Sequence, residues 1–252
     1  MTEGYDPAQY WSERLVARPG LRGTGHWRYS EGYNRWLYRR KGRALRRALR
    51  GVTAPVHALD VGSGTGWVLE QLHSLGATVD GSDIAEPSVR ELAGRYPAAT
   101  FFQLAIGTDA VPRPDDAYDV ITAMDVLYHV TDDDLWHAAV CELARVLRPG
   151  GLLVVTDGLG NADIQPAPHV RFRSMDRWLD TAAKTGLELH ESGPLFRWLS
   201  RSPEVPGFRR LPDGVRGAVE YTLDRLAADP PHMRWATFVV TGSRRKANAS
   251  LP

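Results

Sequence analysis

The chain of 252 residues has a single cysteine, Cys141, so it can form no internal disulfide and no cysteine-cluster metal site, and it suits a reducing compartment. No stretch of about 18 apolar residues occurs, and Met1 to Tyr10 contains no apolar run of the signal-peptide kind. The expectation is a cytoplasmic protein without a membrane partner. Charge of one sign is also lacking: 31 Lys and Arg balance 30 Asp and Glu, a net charge of +1, which leaves no global field for nucleic acid or an anionic membrane surface. What is present is ordinary for a globular chain, 43% hydrophobic and 24% charged residues, at a length that fits one large domain or a core with an appendage.

The head, residues 1–51, is rich in aromatics and arginine, with Tyr10, Trp11, Trp27, Tyr29, Tyr33, Trp36 and Tyr38. From Tyr33 to Leu49 apolar residues recur at helical spacing, and Arg35, Arg39, Arg40, Lys41, Arg43, Arg46, Arg47 and Arg50 fill the other face. That face reads as solvated surface, with a phosphate- or carboxylate-binding patch as the alternative. Beyond it, short β-branched runs alternate with helical patterns, which is the signature of βαβ units on a parallel sheet. Strands are expected at His57–Val61, Thr78–Ser82, Thr100–Leu104, Asp119–Ala123 and Gly151–Thr156, with helices at Trp67–Leu75, Glu86–Tyr96 and Leu135–Leu147. Pro149-Gly150-Gly151 would end the last of these helices. Residues 158–231 are less regular, with a helix at Met175–Lys184, a short strand at Leu187–Glu191, a Pro-rich loop and a helix at Val215–Ala228. A strand at Arg234–Thr241 and a polar tail, residues 243–252, complete the chain.

The densest chemical signal is Ala58-Leu-Asp-Val-Gly-Ser-Gly-Thr-Gly66, where an apolar strand enters three alternating glycines and then a helix. Such a loop lets a ligand approach bare backbone and offers N–H donors to it. A dinucleotide fingerprint wants its third glycine one place later, where this chain has Trp67, so a nicotinamide cofactor is disfavoured. Asp83 ends the next strand, where a carboxylate can accept both ribose hydroxyls of an adenosine. A tight turn or a helix cap is the plainer use of the same residue types.

Together with Asp60, Asp83 and the segment Arg145-Val-Leu-Arg-Pro-Gly-Gly151, this loop resembles the class I S-adenosylmethionine-dependent methyltransferases. The likeness is to the small-molecule branch that includes ubiquinone and menaquinone methyltransferases and natural-product sugar O-methyltransferases. It covers about Val56 to Asp157. It implies a doubly wound, Rossmann-like α/β sheet of about seven strands with helices on both faces. An N-terminal helical lid would span 1–51, and a core at 52–242 would carry a substrate-side elaboration at about 158–231, followed by a disordered tail at 243–252. It also implies that Gly62, Ser63 and Gly64 wrap the methionine part of the cofactor, that Asp60 braces the loop, and that Asp83 holds the ribose with Ile84 against the adenine. Ala123-Met124-Asp125 would lie beneath the sulfonium. The family commonly has an aspartate after strand three, whereas this chain reads Gln103-Leu-Ala-Ile-Gly107; adenine contact then falls to Ala105 and Ile106, which core packing explains equally well. From the head, Tyr10 and Trp11 with Arg14 would reach the methionine carboxylate, and Tyr29, Tyr33 and Trp36 would shape a ring-accepting pocket or pack on the sheet.

The segment Asp125-Val-Leu-Tyr-His129-Val-Thr-Asp132 follows the fourth strand, and a histidine there is suited to accept a proton near neutral pH. The resemblance pairs His129 with an aspartate at the end of strand five, here Asp157, which would orient the imidazole and raise its pKa. His169, after Pro166-Ala-Pro168, would touch substrate or lie at the surface. A metal held by His129, His169 and Asp157 lacks a ligand motif, and methyl transfer needs none. The resulting expectation is methyl transfer from S-adenosylmethionine to a small-molecule acceptor, foremost a hydroxyl, by a monomer or homodimer. N- or C-methylation, a non-methylating lyase or cyclase, and a cofactor-binding protein stand as alternatives. Nucleic-acid methylation lacks its Asn- or Asp-Pro-Pro-aromatic segment.

Overall fold

The computed structural model describes residues 6–18, 20–26, 28–53, 56–200 and 210–241. Trp27, the segment 201–209 within the expected Pro-rich loop, and the tail 243–252 lie outside the described residues, so nothing is added to those expectations. Five parallel strands, β1 (Val56–Val61), β2 (Ala77–Asp83), β3 (Phe101–Gln103), β4 (Tyr118–Ala123) and β5 (Leu147–Asp157), form one side of a seven-stranded sheet. The hairpin-like pair β8 (Leu187–Phe196) and β9 (Met233–Val240) completes it, β9 running antiparallel to both β5 and β8. The order is β3-β2-β1-β4-β5-β9-β8, so strand progression reverses between β1 and β4. In open α/β sheets that reversal leaves a crevice at the carboxyl ends of the strands.

Strand alternation divides the interior in two. Leu59, Val61, Ile121, Leu153 and Val155 belong to one apolar cluster, while Ala58, Val120, Leu152 and Val154, one residue out of phase, belong to the other. The first is covered by α6 (Asp133–Val146) and α7 (Met175–Thr185) through Trp136, Val140, Leu143 and Trp178. The second is covered by α3 (Glu31–Ala48), α4 (Trp67–Ser74) and α5 (Glu86–Arg95) through Leu37, Leu45, Leu69, Leu72 and Leu92. Helices on both faces of a mostly parallel sheet are the doubly wound architecture expected from the sequence.

Several boundaries differ. β5 begins at Leu147 rather than Gly151 because Leu147 already pairs with Tyr118; the register then shifts around Gly150, whose φ of 74° is left-handed. Helix α6 therefore ends at Val146, ahead of the Pro-Gly-Gly segment. β8 extends to Phe196 because it follows β9 along its whole length, with irregularities at Leu189/Glu191 and Pro194/Phe196. The head holds two further helices for which no bounds were expected, α1 (Pro7–Ala17) and α2 (Leu21–Thr24), and a small antiparallel hairpin of β6 (Ile164–Ala167) and β7 (Val170–Phe172) was not anticipated.

The arginine-rich face of α3 is only partly solvated. Arg35, Arg39, Arg43, Arg46 and Arg47 are exposed, but Arg40 donates to the Leu195 carbonyl (2.9 Å) and to Asp224 (3.2 Å), and Lys41 is buried. Tyr29, Tyr33 and Trp36 do not line the cleft described below; they belong with the second apolar cluster. They meet α8 (Asp213–Leu226): Tyr33 donates to Glu220, Trp36 Nε1 donates to the Gly214 carbonyl (3.0 Å), and Tyr29 stacks on Tyr33. Among the described residues no helix is long and apolar enough to cross a membrane.

Candidate active site

A cleft of about 410 Å³ opens at the carboxyl ends of β1, β2 and β4, roofed by α1 and α3. Its floor is the loop after β1. Gly62 and Gly64 take φ of 70° and 52°, and a Cβ on the first would collide with Val126 and on the second with the Thr24 methyl. These positions need glycine for backbone conformation and for close approach alike. The loop is tied down from several directions. Gly62 and Ser63 donate their N–H groups to the Ser82 carbonyl (2.7 and 2.9 Å), Ser63 Oγ donates to the Asp60 carbonyl (2.9 Å), and Gly64 N–H donates to Asp83 Oδ2 (2.7 Å).

The two carboxylates differ in role. Asp60 lies beneath the loop rather than on the cleft wall. Its Oδ1 accepts from Thr122 (2.7 Å) and its buried Oδ2 finds no partner among the described residues; burial pushes its pKa up to about 7. Asp83 is on the wall, its second oxygen accepting the Ala85 N–H (2.9 Å). Burial raises its pKa, with the two N–H groups working against that shift. Each Asp83 oxygen keeps lone-pair capacity toward the cleft. Ile84, Ala105, Ile106, Met124 and Trp11 also line the cleft; Tyr10 instead lies beside His169, with ring centroids 5.8 Å apart, and edge-on to Trp11. Asp109 is no substitute for the acid missing after β3, since its side chain accepts the Ala105 N–H (2.7 Å) and closes a turn.

His129 ends a short 3-10 turn, Leu127–His129, on the cleft wall. Its Nδ1 is 2.8 Å from the His169 carbonyl, at the tip of the β6–β7 hairpin. A carbonyl only accepts, so Nδ1 carries the proton and Nε2 is left with the lone pair. Burial pushes the ring's pKa down to about 4, which keeps it neutral at physiological pH. Trp11 meets the imidazole edge-on, 5.1 Å between centroids.

Asp157 does not join His129. Its oxygens accept N–H groups from Gly158 (2.6 Å), Arg173 (3.1 Å) and Trp178 (3.0 Å), all on the α7 side of the sheet. Along β5 it shares a face with Leu153 and Val155, whose cluster α6 and α7 cover, and neither it nor Thr156 lines the cleft. The orienting partner of His129 is the His169 backbone, and the imidazole pKa moves down rather than up. Thr156 Oγ1 donates to Asp125 Oδ1 (2.8 Å) and accepts the Asp125 N–H (2.7 Å), holding Asp125 in a left-handed conformation with φ of 62°. The other Asp125 oxygen is paired with Lys41. Lys41 and Thr156 were missed from the sequence. For Lys41 a signal existed, since it lies four residues from both Leu37 and Leu45, on the stripe that α3 buries.

Residues 59–155 match the protein family described as "Methyltransferase domain". The demethylmenaquinone methyltransferase of Tropheryma whipplei is 34% identical over 107 residues, 42% of this chain and 44% of that protein. The ubiquinone biosynthesis O-methyltransferase of Brucella melitensis is 34% identical over 100 residues, 38% of this chain and 39% of that protein. The matched segment thus spans less than half the length of these relatives. In structure, the 1,6-didemethyltoxoflavin-N1-methyltransferase of Burkholderia thailandensis, solved with bound 1,6-didemethyltoxoflavin and S-adenosylhomocysteine, is 14% identical and superposes with a TM-score of 0.58, covering 96% of this chain and 94% of the other. Residues 59–155 are thus similar to methyltransferase domains, and the chain as a whole has a seven-stranded, Rossmann-like sheet.

Proposed function

We propose that this methyltransferase domain transfers a methyl group from S-adenosylmethionine to a hydroxyl of a small molecule, with His129 as the general base. The observation that carries the reading is the meeting, in one cleft, of a glycine floor that tolerates no Cβ, a wall carboxylate at Asp83, and a neutral imidazole whose free nitrogen is Nε2. The cofactor would lie with its methionine part over Gly62, Ser63 and Gly64, its ribose on Asp83 and its adenine between Ile84, Ala105 and Ile106, with Met124 below the sulfur. Asp60 would act from beneath as a brace. When bound, S-adenosylmethionine supplies an electrophilic methyl group on a good leaving group. The chain's task is then to align the acceptor oxygen and receive its proton. Trp11, Tyr10 and the β6–β7 hairpin would wall the acceptor side, and the His169 carbonyl would fix the tautomer in which Nε2 accepts that proton. The name of the Brucella relative, an O-methyltransferase, supports the choice of oxygen. We place the protein in the cytoplasm, acting alone or as a homodimer without nucleic acid.

Calorimetry tests the cofactor directly. S-adenosylmethionine and S-adenosylhomocysteine should bind, and NAD and NADP should not, because Trp67 occupies the place where a dinucleotide loop needs glycine. Binding of a nicotinamide cofactor alone would overturn the reading. With a hydroxyl acceptor, mass spectrometry should show a gain of one methyl group; a rearranged or cleaved product with no methyl gain would place the protein among the lyases or cyclases. Asp83→Ala should weaken S-adenosylhomocysteine by about ten- to hundredfold, the usual cost of removing a charged acceptor from hydroxyl donors. Unchanged affinity in a folded variant would move the ribose elsewhere.

A further inference from the structure

Lys41 and Asp125 form an ion pair on the cleft wall, next to the glycine loop, that the chemistry at His129 leaves without a task. Lys41 comes from the third turn of α3, and its ammonium lies over the Tyr38 ring, 4.3 Å from the centroid. Among the described residues its partners are the Asp125 carboxylate and that ring, so a further N–H remains for an anion. Asp125 has lone pairs to spare beyond those used by Lys41 and Thr156. Both side chains are largely withdrawn from water, 8% and 17% exposed, yet both line the cleft together with Tyr38, Thr65 and Trp67. Withdrawing two charges from water is costly unless each gains further partners. Facing a ligand cleft, a positive and a negative group side by side complement a zwitterion.

We propose that Lys41 and Asp125 clamp the amino-acid end of the cofactor, Lys41 meeting its carboxylate and Asp125 its ammonium. This rests on the S-adenosylmethionine reading above, and it assigns the carboxylate to Lys41 instead of Arg14. The Arg14 guanidinium does not line the cleft; it is turned to the Tyr10 hydroxyl (3.2 Å) and the Gly25 carbonyl and lies over the Trp11 ring. The clamp joins α3 in the head to the end of β4 in the core, so the head would take part in cofactor selection and not only cover the cleft.

The test compares S-adenosylhomocysteine with 5′-methylthioadenosine, which keeps the nucleoside and sulfur but lacks the amino-acid end. Calorimetry on the full chain should show that Lys41→Met and Asp125→Asn each weaken S-adenosylhomocysteine about ten- to hundredfold and change 5′-methylthioadenosine by less than about threefold. Decarboxylated S-adenosylmethionine, which retains the ammonium, should respond to Asp125→Asn and ignore Lys41→Met. Asp125→Asn keeps shape and the bond to Thr156, so it guards against a folding failure of the lysine variant. Equal losses for both nucleosides would make the pair a structural strut and overturn the clamp, as would unchanged affinity for S-adenosylhomocysteine. If the parent binds both nucleosides equally, the clamp fails while the cofactor reading stands; if it binds neither, both fail.

Discussion

Replacing His129 with alanine should lower turnover with a hydroxyl acceptor by about 10² to 10⁴, the range for loss of a positioned general base, while leaving S-adenosylhomocysteine affinity nearly intact. The imidazole, held down to about 4 by burial, is a weak base, which suits this role better than it first suggests. A neutral hydroxyl is hardly acidic before reaction, but it becomes strongly acidic as the new C–O bond forms, so a weak base in contact with it can take the proton late in the step. The ring must be neutral to do so. As pH falls through its pKa the imidazolium can accept nothing and activity is lost; because that pKa is depressed, the loss should come near pH 4. Rates should therefore stay level from about pH 7 down to 5, across the window where an ordinary histidine, near 6.5, would switch off. Single-turnover rates against pH for parent and variant supply the measurement. An acid limb centred near 6.5 would show a ring open to water, and full turnover in His129→Ala would pass the proton to solvent or to the substrate itself.

The sheet was legible because its signals are local and redundant. Short runs rich in apolar and β-branched residues, separated by helical patterns, mark the five parallel strands, and the glycine loop with Asp83 marks the edge at which the cleft opens. What escaped depends on contacts between distant segments. Nothing near Leu187–Glu191 announces that the strand continues to Phe196; β9, more than 30 residues on, imposes it. Asp157 was assigned by its place at a strand end, yet the strand's period of two decides which way a side chain points. Counting on from buried Leu153 and Val155 puts Asp157 on the face that α6 and α7 cover, where Trp178 meets it. Lys41 was hidden for a different reason, since it sits in a run of arginines and was classed by its charge, whereas its spacing from Leu37 and Leu45 places it inward. In both instances position within the element outweighed residue type.

A valine at Gly64 should weaken S-adenosylhomocysteine by at least about hundredfold. Two effects add. With φ of 52°, residue 64 is left-handed, a conformation that costs an L residue about 1 to 2 kcal/mol and a β-branched one more. Its Cβ would also meet the Thr24 methyl, and Thr24 is not free to yield, since its hydroxyl is 2.6 Å from that of Tyr38. The loop would relieve the strain by moving, and its movement would break the Gly64 N–H bond to Asp83, so the floor and the Asp83 carboxylate would shift together. Gly94→Ala is the matched control: in α5, with nothing within 4 Å of an added Cβ and no left-handed φ, it should bind normally and melt no lower than the parent. Calorimetry and thermal melts of the two variants decide the matter. Normal affinity in a folded Gly64→Val protein would mean that the ligand does not lie on this loop.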